Sequence, residues 1–188
     1  FLEILINYWI KQGVNNFILS VGYKHEIIEN YFGSNYKNAG IKYLVEEFPL
    51  GTGGALIKAI STFKIEQPFL LLNGDTYFSV SLENLEAFHN QKKSAFTFSV
   101  FKSNNLERYL GLNVNDKMQV LPLENEGGSI ESQFVNGGVY IIDPSIININ
   151  NFEIDHFYSF ESDILPEIMK EYSATYACEF DTTFIDIG

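Results

Sequence analysis

Two carboxylates stand out by their surroundings. In Leu70-Leu71-Leu72-Asn73-Gly74-Asp75 an apolar run ends abruptly in an aspartate, and Phe184-Ile185-Asp186-Ile187-Gly188 repeats the pattern of apolar strand, aspartate and glycine. An aspartate where a strand leaves a sheet can cap the following turn. It can also hold a metal: magnesium takes one or two carboxylates and completes its shell with substrate phosphates. If the two strands are neighbours, Asp75 and Asp186 could share one divalent ion. A second feature is the glycine-rich stretch Gly51-Thr52-Gly53-Gly54, between a strand and a helix. Backbone N–H groups at such a turn, with the positive end of the helix behind them, suit an anion or the edge of a nucleobase. Tight turns use the same residues for conformational reasons alone. Loop and aspartates together suggest a magnesium–nucleotide site.

The elements that must position these groups follow from periodicity. Phe1 to Ile10 has helical apolar spacing and Gly13 ends it; Phe17 to Val21 is an apolar strand; His25 to Phe32 is a helix closed by Gly33. Ile41 to Val45 is a strand delivering Glu46 and Glu47 into the loop from Phe48 to Gly54, and Ala55, Leu56, Ala59, Ile60 and Phe63 form one face of the next helix. Alternating strands and helices imply parallel pairing with right-handed crossovers. Leu82 to Lys92 is a further helix and Ser94 to Phe101 a strand. Leu110 to Val114, Met118 to Leu123 and Phe134 to Ile142 then read as strands divided by turns at Asn115-Asp116 and Glu126-Gly127-Gly128, an antiparallel addition. Ser162 to Glu171 is the last helix, with Pro166 near its first turn, and Thr175 to Phe180 a strand.

Composition excludes several classes. A chain of 188 residues, 46% hydrophobic, can bury a full core and is expected to form one domain over 1–188. Its net charge of −12 repels nucleic acid and anionic membrane. It contains neither a run of about 18 apolar residues nor a basic, apolar leader, so no membrane partner is expected and the cytoplasm is the expected location. The single cysteine, Cys178, rules out an internal disulfide and a cysteine metal cluster, and reads as a small core residue. His25, His89 and His156 share no spacing and read as surface or capping residues; Trp9, Tyr31 and Phe32 read as core or interface.

Five motifs in order carry a resemblance. Pro49-Leu50-Gly51-Thr52-Gly53-Gly54-Ala55, Leu72-Asn73-Gly74-Asp75, Phe134-Val135-Asn136-Gly137-Gly138-Val139-Tyr140, Phe160-Glu161-Ser162-Asp163-Ile164-Leu165-Pro166 and Phe184-Ile185-Asp186-Ile187-Gly188 resemble the sugar-1-phosphate nucleotidyltransferase family, and within it the guanylyltransferases that use heptose or mannose 1-phosphates. The resemblance covers essentially the whole chain. It implies a Rossmann-like, doubly wound mixed sheet with helices on both faces. It also implies an in-line displacement in which a sugar 1-phosphate attacks the α-phosphorus of a nucleoside triphosphate and pyrophosphate leaves, an activity expected to feed lipopolysaccharide or capsule biosynthesis.

By position, the resemblance assigns Asp75 and Asp186 to Mg2+ and to catalysis, Gly51 to the base, and Thr52, Gly53, Asn73 and Gly74 to the nucleotide. Gly111, Glu124, Asn136, Gly137 and Gly138 go to the sugar. Glu46 matches the position where members using thymidine or uridine nucleotides carry a Gln that reads the base. A carboxylate only accepts, which suits the adjacent N1–H and N2 donors of guanine, so GTP is the expected donor. Glu46 can alternatively do no more than end its strand in solvent.

Two departures from the family pattern accompany this. The family's first strand, its Gly-Gly-x-Gly-Thr-Arg-Leu loop and its Lys-Pro motif would all precede Phe1, so the domain is expected to be truncated there, and at its C-terminus as well. Where the family commonly has Lys after the sugar-facing Glu, this chain has Asn125, and Lys117 is out of register to replace it. The alternatives are a nucleotide-sugar binding or regulatory module without catalysis, and a glycosyltransferase of similar fold, though the Asp-x-Asp usual in the latter is absent. A homo-oligomer is left open.

Overall fold

The computed structural model describes residues 1–103, 111–121, 134–171 and 174–188. The chain divides into two compact units, Phe1–Glu66 with Ile147–Ile168, and Gln67–Ile146 with Met169–Gly188.

The first unit contains α1 (Leu2–Lys11), β1 (Asn16–Val21), α2 (His25–Phe32), β2 (Asn35–Tyr36), β3 (Ala39–Val45) and α3 (Gly51–Phe63). Leu5, Ile6 and Trp9 fall on one side of α1 and are buried, as the 3.6-residue repeat requires. Ile6 of α1, Phe32 of α2 and Ile41 of β3 make one core, flanked by Phe17, Leu19, Ile28 and Tyr43. The parallel pair β1 and β3 runs in register from Asn16↔Gly40 to Val21↔Val45, with the two-residue β2 antiparallel on the far side of β3. Helix α2 stops at Gly33, whose positive φ of 62° returns its N–H to the Glu29 carbonyl at 2.8 Å.

The second unit contains β4 (Phe69–Leu72), β5 (Thr76–Phe78), α4 (Leu82–Lys92), β6 (Phe96–Lys102) and β7 (Phe134–Ile142). A short helix, α5 (Leu165–Glu171), begins in the first unit, and β8 (Thr175–Glu179) and β9 (Phe184–Asp186) belong to the second. Four strands pair in the order β4-β7-β6-β8, with β6 and β8 parallel and the rest antiparallel. Strand β6 is buried on both faces from Phe96 to Val100, which is why its sequence is a continuous apolar and small-residue run. Helix α4 starts at Ser81, whose side chain accepts the Asn84 N–H at 3.3 Å. Strands β5 and β9 form a separate antiparallel pair.

Parallel and antiparallel pairing thus coexist as expected, among the described residues in three pieces of sheet. Three further expectations are corrected. The glycines Gly51 to Gly54 are not a loop before a helix; they are the first turn of α3. Of the strands expected over 110–114 and 118–123, residues 110 and 122–123 lie outside the described residues, as does the expected turn at 126–128. Residues 111–121 carry the isolated bridges Gly111↔Val135, Val114↔Val120 and Gln119↔Tyr176 in place of strands, because Asn115 folds the chain back at once by accepting the N–H groups of Lys117 and Gln119, both at 3.0 Å. The helix expected from Ser162 starts earlier, as one wide π-type turn over Phe160–Ile164 capped by the Ser159 side chain.

Candidate active site

Strands β5 and β9 are three residues each, too short to be stable as an isolated pair. Aromatic packing holds them. The ring of Phe78, 1% exposed, meets Phe101, Phe180 and Phe184 edge-on with centroids 5.6, 6.1 and 5.7 Å away, and Phe101 and Phe184 lie 4.4 Å apart. Burying a phenylalanine of this kind stabilises by about 1.5–3 kcal/mol. On that base Thr76 faces Asp186 across the pair, and the Ile187 N–H donates to the Asp75 carbonyl at 3.1 Å.

The two expected aspartates are therefore brought together. The Gly188 N–H donates to Asp186 Oδ1 at 3.0 Å, and a β-carbon on Gly188 would stand 2.8 Å from Asp75 Oδ2 and 3.5 Å from Asp186 Oδ1. Both carboxylates lie within 3.5 Å of one point, which glycine leaves open. Asp75 is exposed and Asp186 half-buried. Among the described residues no group of three or more His, Cys, Asp or Glu side chains is placed to hold a metal ion. Two hard oxygen donors fit a cation that takes the rest of its shell from phosphate and water.

The residues expected on the sugar side lie in the same unit. On β7 the register to β6 jumps from Phe98↔Tyr140 to Val100↔Asn136, so β7 carries a bulge at Gly137-Gly138. Gly138 takes a φ of +72°, and its carbonyl accepts the Asn73 N–H at 2.9 Å. A β-carbon there would fall 2.7 Å from Thr76 Oγ1 and 2.9 Å from Asn73 Nδ2, so the bulge seats directly on the turn that bears Asp75. Gly137 is required by packing, since a β-carbon would strike the Phe78 ring. Buried Gly111 bridges to Val135, one residue before Asn136. Gly74 is exposed with open space around it. Glu124 and Asn125 lie outside the described residues.

In the first unit, Glu46 follows β3 and does not end in solvent. Its Oε1 accepts the Ser20 hydroxyl at 2.6 Å and its Oε2 the Leu50 N–H at 3.0 Å, tying the end of β1 to the start of α3. Each oxygen keeps a second lone pair. The glycine turn is packed rather than open: the Gly53 and Gly54 N–H groups both donate to the Tyr158 carbonyl, at 2.9 and 3.2 Å. Gly51 has a φ of +69°, and a β-carbon there would lie 2.5 Å from that same carbonyl. Thr52 Oγ1 accepts the Phe160 N–H at 3.1 Å. Beside this turn a cleft of about 130 Å³ is lined by Glu47, Phe48, Leu50 and the ion pair of Lys58 with Asp155, 2.7 Å apart.

The remaining side chains behave mostly as expected. Cys178 is buried, and desolvation pushes its thiol up to about 11. Trp9 and Phe32 are core, whereas Tyr31 is exposed. His25 pairs with Glu29 at 2.7 Å, and His156 is exposed. His89 is a correction: it is buried, its Nδ1 2.8 Å from Thr97 Oγ1, because α4 turns it inward against β6. Ser20, Thr76 and Tyr140, which shape the two sites, carry no chemical signature in the sequence beyond their places in strands.

The Nucleotidyl transferase family model matches residues 1–188. The chain is 36% identical to the D-glycero-alpha-D-manno-heptose 1-phosphate guanylyltransferase of Campylobacter jejuni, over all of this chain and 80% of that protein. It is 37% identical to the protein of that name from Aneurinibacillus thermoaerophilus, over all of this chain and 79% of the relative. The crystal structure of HddC from Yersinia pseudotuberculosis superposes with a TM-score of 0.79 at 31% identity, covering all of this chain and 79% of that one; its complex with GMP-PN gives 0.77 at 30%, covering 99% and 79%. With the match running from the first residue to the last and through both units, the chain belongs to the nucleotidyl transferase family.

Proposed function

We propose that this protein transfers a guanylyl group from GTP to a sugar 1-phosphate of the heptose or mannose type, with residues 1–188 acting as one nucleotidyltransferase domain. A phosphate oxygen of the sugar 1-phosphate bonds to the α-phosphorus, the bond to the β-phosphate bridging oxygen breaks, and pyrophosphate leaves with the electron pair. The observation that carries this reading is the pairing of Asp75 with Asp186 beside the Gly138 bulge. The relatives named as heptose 1-phosphate guanylyltransferases support the base and the sugar class.

Asp75 and Asp186 would hold Mg2+, whose charge offsets that of the α-phosphate and the attacking phosphate. Glu46 accepts from N1–H and N2 of guanine while Ser20 and Leu50 keep its carboxylate in place. The family resemblance assigns Gly51 to the base and Thr52, Gly53, Asn73 and Gly74 to the nucleotide, although the Gly53 N–H is already held by the Tyr158 carbonyl. It assigns Gly111, Asn136, Gly137 and Gly138 to the sugar, together with Glu124, which lies outside the described residues. The absence, among the described residues, of a helix long and apolar enough to cross a membrane is compatible with a cytoplasmic step supplying an activated sugar for lipopolysaccharide or capsule. Pyrophosphate release by the intact protein from GTP with Mg2+, using D-glycero-D-manno-heptose 1-phosphate and mannose 1-phosphate in turn, tests the proposal. Release with neither sugar phosphate rejects it.

A further inference from the structure

The amide of Asn136 is engaged at both ends inside the second unit. Its Oδ1 accepts the Gly138 N–H at 3.1 Å and its Nδ2 donates to the Tyr140 hydroxyl oxygen at 2.7 Å. A backbone N–H can only donate, so the amide oxygen must face Gly138 and the NH2 group must face Tyr140. Tyr140 is 1% exposed, and its ring is fixed by Phe98 and Phe96, with centroids 5.4 and 5.7 Å away. Gly138, with its φ of +72°, rests on Asn73 and Thr76, the residues that flank Gly74-Asp75. A continuous set of contacts thus runs from a buried phenol to the turn that bears a carboxylate.

We propose that Tyr140 is a positioning residue: its hydroxyl orients Asn136, Asn136 sets the bulge at Gly138, and the bulge holds the Asn73–Thr76 turn so that Asp75 faces Asp186. This rests on the reading of Asp75 and Asp186 as the cation-holding pair. It gives Asn136 a duty besides any contact with sugar, and it explains why a polar amide sits on a strand whose following residues are apolar. Bonds of this kind to a ligand's supporting groups commonly change metal affinity by about 10- to 100-fold when lost. Tyr140 acts through two intermediates, so a smaller effect follows.

The test is titration of the intact protein with Mn2+ alone, with free Mn2+ followed by electron paramagnetic resonance, beside the Mg2+ dependence of pyrophosphate release. Tyr140→Phe and Asn136→Ala are each expected to weaken Mn2+ binding about 3- to 10-fold, and to raise the Mg2+ needed for half-maximal rate by a similar factor. The double variant should be no worse than the weaker single one, because both remove the same link. Additive effects overturn the proposal, as does unchanged Mn2+ affinity in a Tyr140→Phe protein that merely melts lower. If Asn136→Ala does not fold, Asn136→Asp serves, since Tyr140 O–H can turn to donate to the carboxylate; less than about a threefold loss on adding Tyr140→Phe there also overturns the proposal. Asp75→Asn separates the two readings. Retained Mn2+ binding in Asp75→Asn sinks the cation pair itself, whereas its loss there with no effect of Tyr140→Phe sinks only the relay.

Discussion

Thr76 stands opposite Asp186 in the β5–β9 pair, and this register sets Asp75 and Asp186 side by side although a chain of intervening elements separates them. Their carboxylates meet at the point a β-carbon on Gly188 would occupy, and neither residue is fully buried.

Asp75→Asn and Asp186→Asn should therefore separate catalysis from folding. On the proposed reading each removes one of two anionic Mg2+ ligands, and a loss of at least about 100-fold in kcat, or about 3 kcal/mol of transition-state stabilisation, is expected. The unfolding free energy should move by less than about 0.5 kcal/mol for exposed Asp75. Steady-state pyrophosphate release and denaturant titration check both halves. Near-normal turnover with Mg2+ in either variant removes the assignment.

Gly54, in the first turn of α3, should respond differently from Gly74. A β-carbon on Gly54 meets the His156 carbonyl, and stands 3.1 Å from Leu50 Cβ, so the backbone itself would have to shift. Gly54→Ala is expected to destabilise the protein by about 1–3 kcal/mol, as overpacking does. Gly74→Ala, with nothing within 4 Å, should be neutral within about 0.5 kcal/mol. Urea midpoints for the two variants decide this; equal midpoints would show that the segment at His156 gives way freely.

Much of the framework is legible in the sequence because its local signals are strong. Gly33 and apolar spacing give the bounds of α2 and α4, and the unbroken run between Phe134 and Ile142 gives β7. The glycine turn misleads, because a run of glycines argues against a helix interior by propensity; here Tyr158, remote in sequence, supplies the acceptor that stabilises them in the first turn of α3. His89 misleads because an isolated histidine gives no hint of a buried Thr97 partner on another element. From sequence the meeting of Asp75 with Asp186 is only a condition, that their strands be neighbours, since antiparallel pairing between distant three-residue strands leaves no local trace.

His89 also makes a pH prediction. Burial lowers its pKa below the ordinary 6.5, with nearby Asp143 opposing in part. The folded protein thus holds the ring neutral while the unfolded chain binds a proton below 6.5. The resulting stability is fully present above that value and is lost as pH falls through the window between 6.5 and the lower folded value. Urea midpoints measured from about pH 7.5 to 5.5 should decline in the wild type. His89→Gln, which cannot titrate, should flatten that decline. An unchanged slope in the variant would place the titration elsewhere.

The base preference is the last expectation. Ser20 and the Leu50 N–H fix the Glu46 carboxylate from one side, leaving a lone pair on each oxygen for a ligand. Guanine offers two adjacent donors that match two acceptors, whereas a uracil-type ring would set carbonyl oxygens against the negative charge. In Glu46→Gln the geometry is determined in advance: the Leu50 N–H can only donate, so the amide oxygen must face it, and the NH2 group turns to Ser20, whose hydroxyl oxygen can accept. The site then presents one donor and one acceptor, the complement of a uracil N3–H and carbonyl. By analogy with bidentate base reading, each matched contact should discriminate by about 1–3 kcal/mol, so the variant's preference for GTP over UTP in kcat/KM should fall by about 5- to 150-fold. Competition among GTP, UTP, dTTP, CTP and ATP, run on wild type and variant, measures this. A wild type that prefers UTP or dTTP, or a variant whose GTP preference is unchanged, would leave Glu46 with only the tie between β1 and α3 that its hydrogen bonds already make.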